Sequence, residues 1–174
     1  EFRRVLFRSE AWLLTHRPVN AVLATAELPT PPGDASPWNS VSQTAASYGL
    51  LDRYDLMLSS HLHSAQMVQV PGQPGQIVLG NGGTKLDPPA YPNPPYGPLA
   101  TLTGQPIQPG LPPLPRATVV QVWLRFGYMV AEPEPGPAAG RWRFTLKDAE
   151  GAAFARCVLA QRQVSCDVPP AGGS

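Results

Sequence analysis

Proline and glycine divide this chain before any other pattern does. The 23 prolines and 16 glycines gather in Pro29–Gly33, Pro71–Gly75, Pro88–Pro115 and Glu132–Gly140. Such clusters mark long loops between packed elements rather than one disordered tail. The segments between them have to pack, because 43% of the 174 residues are hydrophobic and only 14% are charged. Ala11–Thr15 (AWLLT) and Tyr54–Ser59 (YDLMLS) are continuous apolar runs. That pattern suits strands buried on both faces, in a sheet covered by helices. Pro18 ends the first run, since proline donates nothing to a ladder. Ala21–Ala26 is a further short apolar stretch leading into a proline loop. Asn39 or Ser40 is placed to cap a helix over Val41–Arg53, where Val41, Ala45, Tyr48 and Leu51 recur at near-helical spacing and Gly49 counts against it.

Beyond that point the reading is mostly strand. Ala65–Val70 and Gln76–Leu79 flank a Pro-Gly turn as a hairpin-like pair. Lys85–Arg116 has no periodicity, and loops of that length are functional or disordered. Ala117–Ala131, Arg141–Lys147, Ala152–Ala160 and Val164–Cys166 read as a meander of antiparallel strands with a turn at Asp148–Gly151. The expected class is α/β: part of a β-sandwich flanked by helices, followed by an antiparallel β-rich tail. The expected segments are 10–87 for the first part, 88–116 for a proline-rich loop, 117–169 for the β-rich part and 170–174 for a tail. Residues 1–9 stand apart. They read EFRRVLFRS, which one choice of codons turns into the end of a common sequencing-library adapter. They are excluded from fold reasoning, with the native frame expected to continue upstream of Glu10.

Charge removes two function classes. Net charge is +1, from 13 basic and 12 acidic side chains, with no basic stripe, so nothing attracts nucleic acid. No apolar run is long enough to cross a bilayer. Chemistry concentrates instead in the three histidines, His16, His61 and His63, each following the end of a buried run. Residues i and i+2 of an extended segment share a face, so His61 and His63 are expected to address one metal cluster. Neutral imidazole is the commonest nitrogen ligand for such metals, and ligands gather at strand ends of covered sheets. His-x-His occurs in several metal families. Ser64-Ala65-Gln66 lacks the continuation of a metallo-β-lactamase-type site, no glutamate follows as in a cupin, and no later histidine exists for an amidohydrolase.

Over Ala11–Asp87 the chain resembles the calcineurin-like metallophosphoesterases, in particular bacterial, purple-acid-phosphatase-related members. AWLLTHRPV is similar to that family's isolated-histidine segment, YDLMLSSHLHSAQ to its Gly-His-x-His segment, and IVLGNGGTKLD to the glycine-rich stretch that follows. Ser60 stands where the family has glycine, which would strain the backbone if φ there were positive. The resemblance implies that His16 and His61 bind one metal and His63 a second, the ions being iron, manganese, zinc or cobalt. It implies hydrolysis of phosphate esters by metal-activated water. The family's Asp-x-His, Gly-Asp and Asn-His motifs precede the isolated histidine, so the expectation is a carboxyl-terminal portion, inactive alone, whose partner is the missing amino-terminal half. Gly33-Asp34 reads as a turn, and Gly80-Asn81 is not a ligand pair. Arg17 is a candidate substrate-phosphate contact, and Asp55 a candidate for orienting a ligand histidine. Removal of upstream strands is expected to uncover the sheet around Leu13, Leu56 and Leu58 and to lower solubility.

Cys157 and Cys166 are the only cysteines. A turn near Gln161-Arg162 would set them opposite one another on adjacent strands, although those residues lack Asn-Gly hairpin character. Two unpaired buried thiols are the alternative. Bacterial members of the resembled family often carry a β-rich tail with paired cysteines, which implies a bridge and a periplasmic or secreted parent. The competing functional reading is a non-enzymatic β-rich binding or interaction module with incidental histidines, and a weaker third is a mononuclear metal site.

Overall fold

The computed structural model describes residues 10–20, 49–83, 85–86, 119–135 and 140–167. Among these residues nine strands form two sheets. β1 (Trp12–Thr15), β2 (Leu56–Ser59), β3 (Ala65–Gln69), β4 (Gly75–Leu79) and β5 (Val119–Trp123) make a mixed sheet in the order β1-β2-β4-β3-β5. β1, β2 and β4 run parallel, and β3 is antiparallel to both β4 and β5. β6 (Gly127–Pro133), β7 (Trp142–Asp148), β8 (Ala153–Ala160) and β9 (Gln163–Asp167) follow as an antiparallel meander.

The expected α/β class is corrected by this arrangement. Among the described residues the only helical element is a four-residue 3-10 turn, Leu50–Arg53. Its preceding residue, Gly49, sits at φ +61°, a left-handed conformation that a right-handed helix does not contain. The rest of the expected helix, Val41–Tyr48, lies outside the described residues. So do the Ala21–Ala26 stretch, the Gly33-Asp34 turn and the 88–116 loop.

The physical source of the misreading is the cover. Continuous apolar strands do need both faces buried, but the meander, not a helix layer, covers one of them. Leu56, Ala65, Met67 and Ile77 of the first sheet pack with Phe144, Leu146, Cys157, Leu159 and Val164 of the second. This is sheet-on-sheet packing of alternating inward residues. At the edge, Trp12 meets Trp142 nearly edge-on, with centroids 4.6 Å apart, and the Trp142 indole N–H donates to Glu10. On the opposite face, Met57 packs with Val19 and Leu51, against a partly buried Leu13.

A second correction concerns the expected strand Ala117–Ala131. It breaks into β5 and β6, which belong to different sheets. Residues 124–126 make the crossing, where Arg125 pairs with the buried Asp148 at 2.6 Å. The hairpin-like β3–β4 pair and the antiparallel meander are as expected. Cys157 lies directly opposite Cys166 and the two form a disulfide. The turn residues, Gln161 at φ +51° and Arg162 at φ +68°, both adopt the left-handed conformation of a tight hairpin without being Asn or Gly. Among the described residues no helix is long and apolar enough to cross a membrane, which says nothing about β-barrels.

Strand order determines what happens above β4. The chain leaves β2, skips one position, enters β3, and only then returns through β4 into the gap. The connection Ser60–Ser64 therefore spans two strand spacings, roughly 9.6 Å, across the carboxyl end of β4. Both histidines of the His-x-His segment sit on this bridge.

Candidate functional site

β1 and β2 pair in parallel with Thr15 opposite Ser59, and Ser60 N donates to His16 O at 3.2 Å. His16 thus continues the ladder one step past β1. Alternation gives His16 and Ser60 the same face, and it would send His61 to the other. The backbone reverses this. His61 has φ +66°, and Leu62 N donates to Ser60 O at 2.8 Å. An i to i+2 bond around a residue with positive φ is the rarer and strained kind of γ-turn. It returns the His61 ring to His16. His61 Nδ1 and His16 Nε2 lie 3.0 Å apart, with the rings nearly perpendicular and their centroids 4.8 Å apart. One ring donates to the other in this contact, and the tautomer decides which.

His63 does not join them. A second i to i+2 bond, from Ser64 N to Leu62 O at 2.8 Å, turns the chain again immediately. The segment is therefore not extended, and the same-face expectation for His61 and His63 fails with its premise. Among the described residues, no group of three or more His, Cys, Asp or Glu side chains is placed to hold a metal. Positive φ falls at His61, not at Ser60 where it was considered.

The two accessory candidates also have definite places. Arg17 is exposed beside His16, and its carbonyl accepts a 2.7 Å bond from Thr15 Oγ1. Asp55 lies at the amino end of β2, at the other end of the strands from the histidines. Its Oδ2 accepts the Ala11 amide at 3.1 Å, and its own amide donates to Ala11 O at 2.7 Å. The Asp55 carboxylate therefore ties down the start of β1. Four residues of strand put roughly 13 Å between it and the His16 end, too far to orient a ligand ring there.

The donor pair can be tested against a metal. With metal–nitrogen bonds of about 2.0–2.1 Å, nitrogens 3.0 Å apart subtend about 94° at a common ion. That is close to the right angle between neighbouring octahedral ligands. The spacing therefore suits two corners of one coordination sphere, once the intervening proton is displaced and both rings turn their lone pairs from each other toward the ion. The described residues supply no carboxylate to complete it.

Sequence reasoning passed over Gly80. A Cβ built there would fall on the Leu62 carbonyl, 2.6 Å from its carbon and 3.3 Å from His63 N. The available signal was the glycine-rich IVLGNGG segment itself, which was noted as a likeness and given no role. Compared with known proteins, the chain matches no family model, no curated protein and no solved structure.

Proposed function

We propose that this chain contributes imidazole ligands to a two-metal phosphoesterase that hydrolyses phosphate esters. The observation that carries the reading is the 3.0 Å approach of His16 Nε2 and His61 Nδ1 across the ends of two parallel strands. The sequence order supports it too, with an isolated histidine after one strand and His-x-His after the next. In the proposed site His16 and His61 hold one ion, and the turn at Leu62–Ser64 leaves the ligands of the second to residues outside those described. Carboxylate ligands come from outside the described residues, since two cations about 3.5–4 Å apart need negative charge between them. Bound metal supplies Lewis acidity and an activated water. The chain's own contribution is orientation: Ser60 and Leu62 fix the His61 ring through backbone hydrogen bonds, and the β1–β2 register fixes His16. The disulfide supports a parent that works in an oxidising compartment, periplasmic or secreted.

The test starts from the source DNA upstream of Glu10. The reading expects in-frame Asp-x-His, Gly-Asp and Asn-His motifs there. It also expects metal-dependent hydrolysis of a generic nitrophenyl phosphate ester by the extended protein. His16→Ala and His61→Ala should each lower that turnover by about 10²-fold or more, while the 174-residue chain alone shows none. An extended protein that lacks the motifs, or whose turnover survives both substitutions, returns the chain to the reading of a β-rich binding module with incidental histidines.

A further inference from the structure

We infer that Gly80 is a positioning residue, kept without a side chain so that the bridge Ser60–Ser64 can hold His61 against His16. The inference rests on the proposed metal-ligating role of that pair, but the geometry it concerns can be measured without metal.

The argument begins with the strain at His61. A γ-turn of positive φ is closed by a single i to i+2 hydrogen bond and relaxes unless its surroundings over-determine it. Restraints reach this bridge from both sides. Ser60 N is held by His16 O at 3.2 Å, and Ser64 O accepts Gly80 N at 3.2 Å. Between those points Leu62 is buried at 5% exposure, and its carbonyl rests where a Cβ of residue 80 would be. Gly80 is not among the glycines with positive φ, so this position needs space, not backbone freedom. Strand order explains the need: the bridge crosses the carboxyl end of β4, and the chain leaving β4 passes beneath it.

If a side chain were added, one of the two backbones would have to move. Residue 80 is the less free. Its neighbour Asn81 is 1% exposed, donates from Nδ2 to Arg125 O at 2.9 Å, and accepts Gly127 N at 3.2 Å. Those bonds pin it to the crossing between the sheets. The Leu62 carbonyl would therefore yield. It lies between His61 and His63, so its displacement swings the His61 ring away from His16.

The experiment uses the whole chain, labelled with nitrogen-15 at histidine, in alkaline metal-free buffer. Wild type should show imidazole nitrogen signals for His16 and His61 shifted by their mutual hydrogen bond. Gly80→Ala should lose that paired signature while the amide spectrum of β6–β9 stays in place. Gly83→Ala, whose nearest neighbour would be a carbonyl 3.9 Å away, should retain it. Where wild type binds Zn²⁺, Gly80→Ala should weaken that binding by about 10- to 100-fold, the usual effect of losing an outer contact that orients a ligand. Retention of the paired signature in a folded Gly80→Ala protein overturns the inference. If that variant does not fold, the wild-type chain supplies the check: a Gly80 Hα proton must show a short-range nuclear Overhauser contact to the His63 amide, whose nitrogen lies 3.3 Å from where a Cβ of residue 80 would be, and its absence overturns the inference equally. The phosphoesterase reading stands or falls on the extended protein's turnover, whereas the imidazole signals report on Gly80 with or without metal.

Discussion

Arg162 is where sequence preference and structure disagree most openly, and the disagreement can be measured. Its φ of +68° disfavours any residue with a β-carbon, by roughly 1–2 kcal/mol. Against this, its guanidinium donates from Nε to Tyr54 O at 3.0 Å and from Nη2 to Leu51 O at 2.9 Å. Its carbonyl accepts Gly75 N at 2.8 Å. The β8–β9 turn is thereby fastened to the amino end of the first sheet. Hydrogen bonds from charged donors contribute about 1.5–3 kcal/mol each. These two are only part-buried, so the released carbonyls regain some water, and the pair is worth roughly 2–3 kcal/mol. Arg162→Ala loses the clamp and keeps the strain, so it should destabilise by that amount. Arg162→Gly loses the same clamp and relieves the strain, less roughly 0.5–1 kcal/mol for the added freedom of the unfolded chain. It should therefore be the more stable of the two variants by roughly 0.5–1 kcal/mol. Urea unfolding at an unchanged slope of about 2 kcal/mol/M would show the Arg162→Ala midpoint lowered by roughly 1–1.5 M. An Arg162→Ala midpoint at the wild-type value would refute the clamp. An Arg162→Gly protein less stable than Arg162→Ala would refute the strain.

Two further outcomes follow from the same architecture. The Cys157–Cys166 disulfide closes a loop of sequence separation 9, and the chain-entropy estimate for such a loop is about 3 kcal/mol. Replacing both cysteines with alanine should lower stability by about that much, and equal midpoints for oxidised protein and the double variant would exclude the estimate. Leu14 is 71% exposed on β1, an edge strand of the first sheet, and an apolar edge invites pairing with another chain. Leu14→Lys should reduce light scattering on concentration while changing stability by less than about 0.5 kcal/mol. Unchanged aggregation would place the liability elsewhere.

The strands were legible because short apolar runs bounded by proline and glycine leave few other choices. Trp12–Thr15, Leu56–Ser59 and β3 fall within the expected runs, and β4 begins one residue before its run, at Gly75. The class was not legible, because a continuous apolar strand reports only that both its faces are covered. Phe144 and Leu146, buried at 0% exposure against Leu56 and Ile77, could equally have been expected to cover nothing but their own tail. The break at residues 124–126 was hidden for a related reason: Leu124-Arg125-Phe126 contains no proline or turn pair, and the one breaker beside it, Gly127, is itself the first residue of β6. The same local reading expected Leu13, Leu56 and Leu58 to be uncovered. The meander buries Leu56 completely and Leu58 in part, leaving the edge residue Leu14 as the exposed leucine of β1.

The site shows a deeper limit of motif reading. Histidines are visible in a sequence, but the conformation that joins two of them here is held by backbone groups. His16 O, Ser60 N and O, Leu62 N and O, Ser64 N and O, and Gly80 N supply the backbone hydrogen bonds that shape the bridge, beside the side-chain bond from Gln66 Nε2 to Ser64 Oγ. None of the backbone groups has a side-chain signature. The one sequence mark they leave is negative, the missing side chain at Gly80, and it acquires meaning only once β4 is known to insert between β2 and β3. An extended His-x-His would have sent His61 away from His16, so those two rings meet for a reason that alternation does not contain, and the third imidazole expected with them, His63, is not placed to share a metal with the pair. The strain at His61 is thus the physical link between strand order and chemistry: the turn that opposes local preference is the turn that makes the pair.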